Sequence, residues 1–220
     1  MNIAEIEKHI KQYKAEGKKL FTSCSFQSHS LVLLHIISRI DNSIPVYFIN
    51  TGYHFADTIR FKDEIAKRFN VTVKDLKSET PKHLQRDASG KLLFTSDPDY
   101  CCYLNKVAPM DAVLAEYDVW VNGVRADQSA ARKAMKIEQP APHDTIRFHP
   151  MLDWSGKDIY EYRKAHDLPE HPMESQGYLS IGCEPCARSY NNSINFSHQA
   201  FYMLFPSHFG DRIERSWVQA

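Results

Sequence analysis

Apolar positions recur along the chain with two periods, and their succession predicts alternating strands and helices. Ile3, Ile6, Ile10 and Tyr13 share one helical stripe that ends near Gly17. Leu20-Phe21-Thr22-Ser23 reads as a short strand and is followed by the polar loop Ser25-Phe26-Gln27-Ser28-His29. Ser30–Ile40 is then an apolar helix that stops before Asp41-Asn42-Ser43. Pro45–Asn50 is a β-rich run that looks buried on both faces. Thr51-Gly52 breaks it, a helix is predicted from about His54 to Phe69, and Val71-Thr72-Val73 makes the next strand. A helix over Lys106–Glu116 leads to the strand Val119-Trp120-Val121, and a further helix spans Ser155–His166. This order predicts an α/β fold, a doubly wound and mainly parallel sheet in a single domain. Ligands of such sheets sit beyond the carboxyl ends of the strands. Three polar segments leave those ends: Ser25–His29, Thr51–Phe55 and Gly123–Ser129.

Composition narrows the function classes. The 220 residues suit one compact domain, and 43% hydrophobic with 25% charged residues is a globular balance. The 27 Lys plus Arg offset 27 Asp plus Glu, so bulk charge makes no case for nucleic acid or a membrane surface. Any anion must be bound by locally placed cations. The segment Met1–Ile6 begins an amphipathic helix and lacks the apolar run of a signal peptide. No stretch reaches the roughly 18 apolar residues of a spanning helix, so a soluble cytoplasmic protein is expected. Five cysteines, an odd number, favour metal binding or catalysis over a disulfide framework.

The cysteine spacing carries the sharpest chemistry. Cys101 and Cys102 are adjacent, and Cys183-x-x-Cys186 follows in a loop containing Gly and Pro, which Pro169 and Pro172 separate from the Ser155–His166 helix. Four thiolates from two segments are enough for an iron–sulfur cluster or a structural zinc. Zinc sites usually use two spaced pairs, which makes the adjacent pair a poorer match to zinc. Read blandly, each cysteine is a separate buried apolar residue.

Other candidates lie at the strand ends. The Ser23–Ser30 turn places hydroxyls and free amides at a helix N-terminus, which suits a phosphate or sulfate, although the same sequence serves as an ordinary cap. It has neither the glycines nor the Lys of a phosphate-binding P-loop. Lys106 lies one helical turn beyond Cys102. Arg125 and Arg132 flank Asp127-Gln128-Ser129, and Arg188 closes the C-x-x-C loop. Each alone reads as a solvated charge; together they point to oxyanion recognition. Among 11 histidines none has triad or zinc-ligand spacing; His29 and His54 are placed to meet a ligand, and His35 reads as a packed core residue.

In order along the chain, these motifs resemble the adenylyl-sulfate and phosphoadenylyl-sulfate reductase family. The similarity runs from about Leu20 to Arg188, which delimits a reductase-like domain over 1–190 and an extension over 191–220. It rests on Ser25-Phe26, on Asn50-Thr51-Gly52-Tyr53-His54-Phe55 with Thr58, and on Cys101-Cys102 with Lys106. It continues through Gly123–Ser129, Pro150-Met151-Leu152-Asp153-Trp154 and Gly177–Cys183. The resemblance implies an adenine nucleotide alpha hydrolase-like fold. It also implies reductive cleavage of the sulfonucleotide to sulfite in assimilatory sulfate reduction and cysteine biosynthesis, with thioredoxin or glutaredoxin as partner. Cys101, Cys102, Cys183 and Cys186 would hold a [4Fe–4S] cluster. Lys106, Arg125 and Arg188 would bind the phosphosulfate, the Ser25–Ser28 turn with Phe26 the phosphate end, Thr51 and Gly52 the adenosine, and Arg132 a further part of the nucleotide. The cluster cysteines favour adenylyl sulfate, whereas Thr51–Phe55 with Arg60-Phe61 looks like users of the 3′-phosphorylated form.

One departure stands out. The family carries its nucleophile in a Glu-Cys-Gly-Leu-His segment near the C-terminus. Gly210-Asp211-Arg212 and Arg215-Ser216-Trp217 resemble what precedes that segment, yet no cysteine follows Cys186. Cys24 is the one cysteine left over, and it would need a lowered pKa to serve. Otherwise the thiol belongs to a missing tail, or the chain is a non-reducing sulfonucleotide-binding protein whose cysteine comes in trans. An ATP pyrophosphatase of the same fold would need a Ser-Gly-Gly-x-Asp-Ser loop, which Ser25–Ser30 does not match. The aromatic stretch Asn191–Phe209 either covers the site or forms a contact in a homo-oligomer.

Overall fold

Each predicted amphipathic segment finds a partner face on one central sheet. The structure is a computed structural model that describes residues 1–178 and 180–189. The 191–220 extension and its aromatic stretch therefore lie outside the described residues. In order the elements are α1 (Ile3–Ala15), β1 (Leu20–Ser23), α2 (Ser30–Ile40), β2 (Val46–Ile49), α3 (Ala56–Arg68) and β3 (Val73–Leu76). After these come α4 (Leu93–Ser96), α5 (Pro98–Cys102), α6 (Ala108–Leu114), β4 (Val119–Val121), α7 (Ala130–Lys133), β5 (Glu138–Pro140), β6 (Ile146–Phe148) and α8 (Gly156–Ala165). No helix among the described residues is long and apolar enough to cross a membrane.

The sheet has six strands in the order β3-β2-β1-β4-β6-β5. All neighbours are parallel except the edge pair β5 and β6. Residue alternation divides the core between its faces. Leu20, Val46, Phe48, Val119, Val121 and Phe148 pack with α1, α2, α3 and α8. Phe21, Tyr47 and Trp120 point the other way, onto Met110, Val113 and Leu114 of α6. Burial on both faces is what made β1, β2 and β4 read as apolar runs. Full burial of side chains such as Phe21, Phe26, Phe48 and Phe148 stabilises the fold by roughly 1.5–3 kcal/mol each.

The structure revises several expectations. β3 runs from Val73 to Leu76 rather than over Val71–Val73. It is an edge strand, so Lys74 and Asp75 carry polar side chains without disrupting the core. β5 and β6 escaped the apolar pattern because each has three residues; Pro140 sits in the edge strand, and Arg147 is buried by stacking 4.7 Å over the Trp120 ring. On α1, Ile6, Ile10 and Tyr13 are buried, but Ile3 is exposed. His35 is half-buried rather than in the core, its Nδ1 2.9 Å from the Tyr162 hydroxyl.

Candidate functional site

Strand order reverses between β1 and β4, and a cleft opens there at the carboxyl ends. Its cavity of about 170 Å³ is lined by Ser23, Cys24, Ser25 and Gln27 after β1, by Tyr47 to Ile49 of β2, by His54 and Trp120, and by Ile181 and Gly182. The Trp120 indole donates to the Ser23 hydroxyl at 2.9 Å, which fixes one wall. His54 sets its Nε2 2.8 Å from the Ile49 carbonyl and packs on Phe48. Burial, and then the nearby Lys106 charge, lower its pKa and keep the imidazole neutral.

A second pocket adjoins the cleft. Cys101, Cys102, Cys183 and Cys186 all line it, with Thr51, Tyr53, Asn105 and Lys106. Local sequence explains the placement. Asp97 caps α5 by accepting from the Tyr100 amide at 3.0 Å, and Pro98 opens the helix, so the cysteine pair rides its last turn. A π-helical turn over Tyr103–Val107 follows. Pro109 accounts for it, because its ring has no N–H and would clash with the carbonyl of Asn105 in an unbroken α-helix. Chain pairing brings in the other two cysteines: the Glu184 amide donates to the Tyr53 carbonyl at 2.7 Å, and His54 forms an antiparallel bridge with Cys183.

Polar groups point at three of the sulfurs. Lys106 Nζ donates to Cys102 Sγ at 3.3 Å, the Thr51 hydroxyl lies 3.1 Å from Cys183 Sγ, and Asn105 Nδ2 reaches Cys101 Sγ at 3.6 Å. Burial first, then the neighbouring sulfurs of Cys102 and Cys183, push the Cys101 thiol up to about 11. Cys183 is raised as well, by burial foremost and by Cys186 and Cys102. Ionising all four cysteines of this one pocket would need compensating positive charge. Among the described residues no three His, Cys, Asp or Glu side chains meet as ligands of a single metal ion; the four cysteines face one pocket from two segments. That donor set fits an iron–sulfur cluster held by four thiolates.

The model of the phosphoadenosine phosphosulfate reductase domain matches residues 19–189. The chain belongs to that family. An adenosine 5′-phosphosulfate reductase of Chelativorans sp. (strain BNC1) is 37% identical over 188 residues, which cover 84% of this chain and 75% of the relative. The phosphoadenylyl-sulfate reductase from Candida auris, solved as a phosphate complex, superposes with a TM-score of 0.68 at 20% identity, covering 83% of this chain and 89% of its own. The FMN adenylyltransferase of Candida glabrata shares the fold at a TM-score of 0.54 and 15% identity, over 75% of this chain and 55% of its own.

For a reductase-family chain, the sequence-nominated residues are only partly gathered. In the Ser25–Ser28 turn, Ser25 and Gln27 line the cleft, but two side chains turn away. Phe26, at φ 58°, is fully buried against Phe48, and the buried Ser28 hydroxyl accepts from the His171 amide at 2.8 Å. Thr51 lines the cysteine pocket, and Gly52, at φ 73°, makes the turn that carries it. Arg125 pairs with Asp127 at 3.0 Å, and Asp127 in turn accepts from the Gly156 amide at the start of α8. Arg132 donates to Gln128 and is close enough, with Arg125, to help burial push His29 down to about 4. Arg188 is exposed and donates to the Ala187 and Pro185 carbonyls of its own loop at 2.9 and 3.3 Å.

Cys24 does not show the lowered pKa that a nucleophilic role calls for. It is 5% exposed, and burial pushes its thiol up to about 11 despite hydrogen bonds from Ser30 and the Phe26 amide. The helix N-terminus beside it does not offset that desolvation. Sequence reasoning also missed Asn105 and Gln85. Asn105 stands four residues after Cys101 just as Lys106 does after Cys102, and that spacing was the available signal.

Proposed function

We propose that this chain is a sulfonucleotide reductase that cleaves adenylyl sulfate to sulfite and AMP in assimilatory sulfate reduction. The carrying observation is that the same two segments line both pockets: His54, Ile181 and Gly182 line the cleft at the sheet's reversal point, and their neighbours Thr51, Tyr53 and Cys183 line the four-cysteine pocket. The Ser25 hydroxyl and the start of α2 face the nucleotide's phosphate, and Lys106 faces its sulfate end. Cys101, Cys102, Cys183 and Cys186 hold a [4Fe–4S] cluster. When bound, the cluster would supply a redox-tunable charge held by these four thiolates.

A cysteine thiolate attacks the sulfur of the sulfonucleotide, the S–O bond to the phosphate breaks, and AMP leaves. A dithiol such as thioredoxin then attacks the resulting thiosulfonate, is oxidised to the disulfide and releases sulfite. Because Cys24 is buried and protonated, the attacking thiol comes from none of the five cysteines of the sequence in this reading. The same observation favours the second reading, a sulfonucleotide-binding cluster protein whose cysteine is supplied in trans. The four-cysteine set supports adenylyl sulfate rather than its 3′-phosphorylated form as the substrate. Cys102→Ser is expected to lose the cluster together with the sulfite release supported by a cysteine-bearing peptide. A variant that stays active without a cluster overturns the assignment.

A further inference from the structure

Outside the residues assigned above, the segment before α4 reaches under the cysteine pair. Gln85 and Asn105, each 2% exposed, exchange both side-chain hydrogen bonds. Asn105 Nδ2 donates to Gln85 Oε1 at 2.6 Å, and Gln85 Nε2 donates to Asn105 Oδ1 at 2.9 Å. The second N–H of Gln85 goes to the Thr80 carbonyl at 2.9 Å. The second N–H of Asn105 is shared between the Cys101 carbonyl at 2.9 Å and Cys101 Sγ at 3.6 Å. Turning either amide over would set oxygen against oxygen and N–H against N–H. One orientation therefore satisfies every buried group, and it aims an N–H at the Cys101 sulfur.

The segment that carries Gln85 is anchored at both ends of this contact. The Leu93 amide donates to the Gln85 carbonyl at 2.9 Å, which ties Gln85 to α4. Lys82, three residues earlier, donates from Nζ to the Gly52 carbonyl at 3.0 Å and lies 5.0 Å above the Tyr53 ring. One short stretch thus bonds the Thr51–Gly52 turn and, through Asn105, the Cys101 thiolate.

We propose that Gln85 and Asn105 are a positioning pair for the Cys101 ligand: Gln85 locks the Asn105 amide, which holds the thiolate toward the cluster and lends it an N–H···S bond. This rests on the cluster reading above. Donors to ligand sulfurs stabilise the reduced, more negative cluster, and partners behind a metal ligand sustain its affinity.

The test uses anaerobically purified, cluster-loaded protein and the variants Gln85→Met and Asn105→Leu, which keep volume and remove the bonds. Iron release to a chelator and the cluster's midpoint potential are read beside the melting temperature. Thr145→Val serves as the control for plain destabilisation, since it removes buried bonds to the Leu114 and Tyr117 carbonyls on the far side of α6. Both test variants are expected to release iron about tenfold faster and to shift the potential downward, and their double variant to add little. Thr145→Val is expected to lower the melting temperature with release and potential unchanged. Wild-type release and potential in both test variants, with cluster present, overturn the pair's role. Iron-free wild-type protein overturns the cluster reading itself, and the pair's role with it.

Discussion

The Thr51 hydroxyl lies 3.1 Å from the sulfur of Cys183. Its oxygen also accepts from the Tyr53 amide at 3.2 Å, and once Cys183 is a thiolate only the hydroxyl can donate in this contact. The turn after β2 and the C-x-x-C loop are thereby one unit. Thr51→Val keeps the shape and removes the bond. It is expected to weaken cluster retention and sulfonucleotide binding together, each by about tenfold, and Thr51→Ser to restore both. Chelator release and equilibrium binding check this; loss of one property alone would separate the two roles.

Asp75 supports the same turn from β3. It accepts from Asn50 Nδ2 at 2.7 Å and from Lys62 Nζ at 2.8 Å, and Asn50 Oδ1 accepts from the Gly52 amide at 3.1 Å. Burial raises the Asp75 pKa, but the Lys62 and Asn50 bonds outweigh it and hold the carboxyl below its ordinary range. A lowered carboxylate stabilises the fold above its unfolded pKa of about 3.9, and that contribution is lost as pH falls through the native value. Asp75→Ala is expected to cost about 1–2 kcal/mol in urea unfolding at pH 7 and to flatten the acid limb of the stability curve.

His149 sets a second pH dependence. It is fully buried, with Nδ1 2.8 Å from the Lys136 carbonyl. Burial, aided by Arg147 and Arg132, pushes its pKa down to about 4. The unfolded chain takes up this proton near pH 6.5 and the native one does not, so stability falls as pH drops from about 6.5 to about 4 and is complete above that window. His149→Asn removes the titration. Its stability curve is expected to be flatter than wild type by up to about 1.4 kcal/mol per pH unit there, as read by chemical unfolding at several pH values.

The raised Cys24 thiol predicts poor reactivity. Alkylation at pH 7.5 is expected to be slow at Cys24 in the native protein and fast after unfolding, by mass mapping. With a cysteine-bearing Glu-Cys-Gly-Leu-His peptide supplied, Cys24→Ala is expected to leave sulfite release at the wild-type level. A loss of activity in that variant would return the nucleophile to this position.

Much of this architecture was legible because burial on both faces leaves β1, β2 and β4 as apolar runs between amphipathic helices. β5 and β6 were not, since a three-residue strand has no period to detect and a buried Arg147 stacked on Trp120 looks like a surface charge. The cysteine set could be read from spacing alone. The Ser25–Ser28 turn could not, because spacing does not say which way a loop side chain points: the positive φ of Phe26 sends its ring into the core, and Ser28 is spent on His171. Gln85 was invisible in an irregular segment, since its role depends on folding back against Asn105.

Sulfite release tests the central claim most directly. Anaerobic, cluster-loaded protein is given adenylyl sulfate or its 3′-phosphorylated form with thioredoxin, with and without a cysteine-bearing Glu-Cys-Gly-Leu-His peptide. The account predicts sulfite from adenylyl sulfate when the peptide is present, and none without it. Protein that holds its cluster yet releases no sulfite from either nucleotide with the peptide present would contradict it.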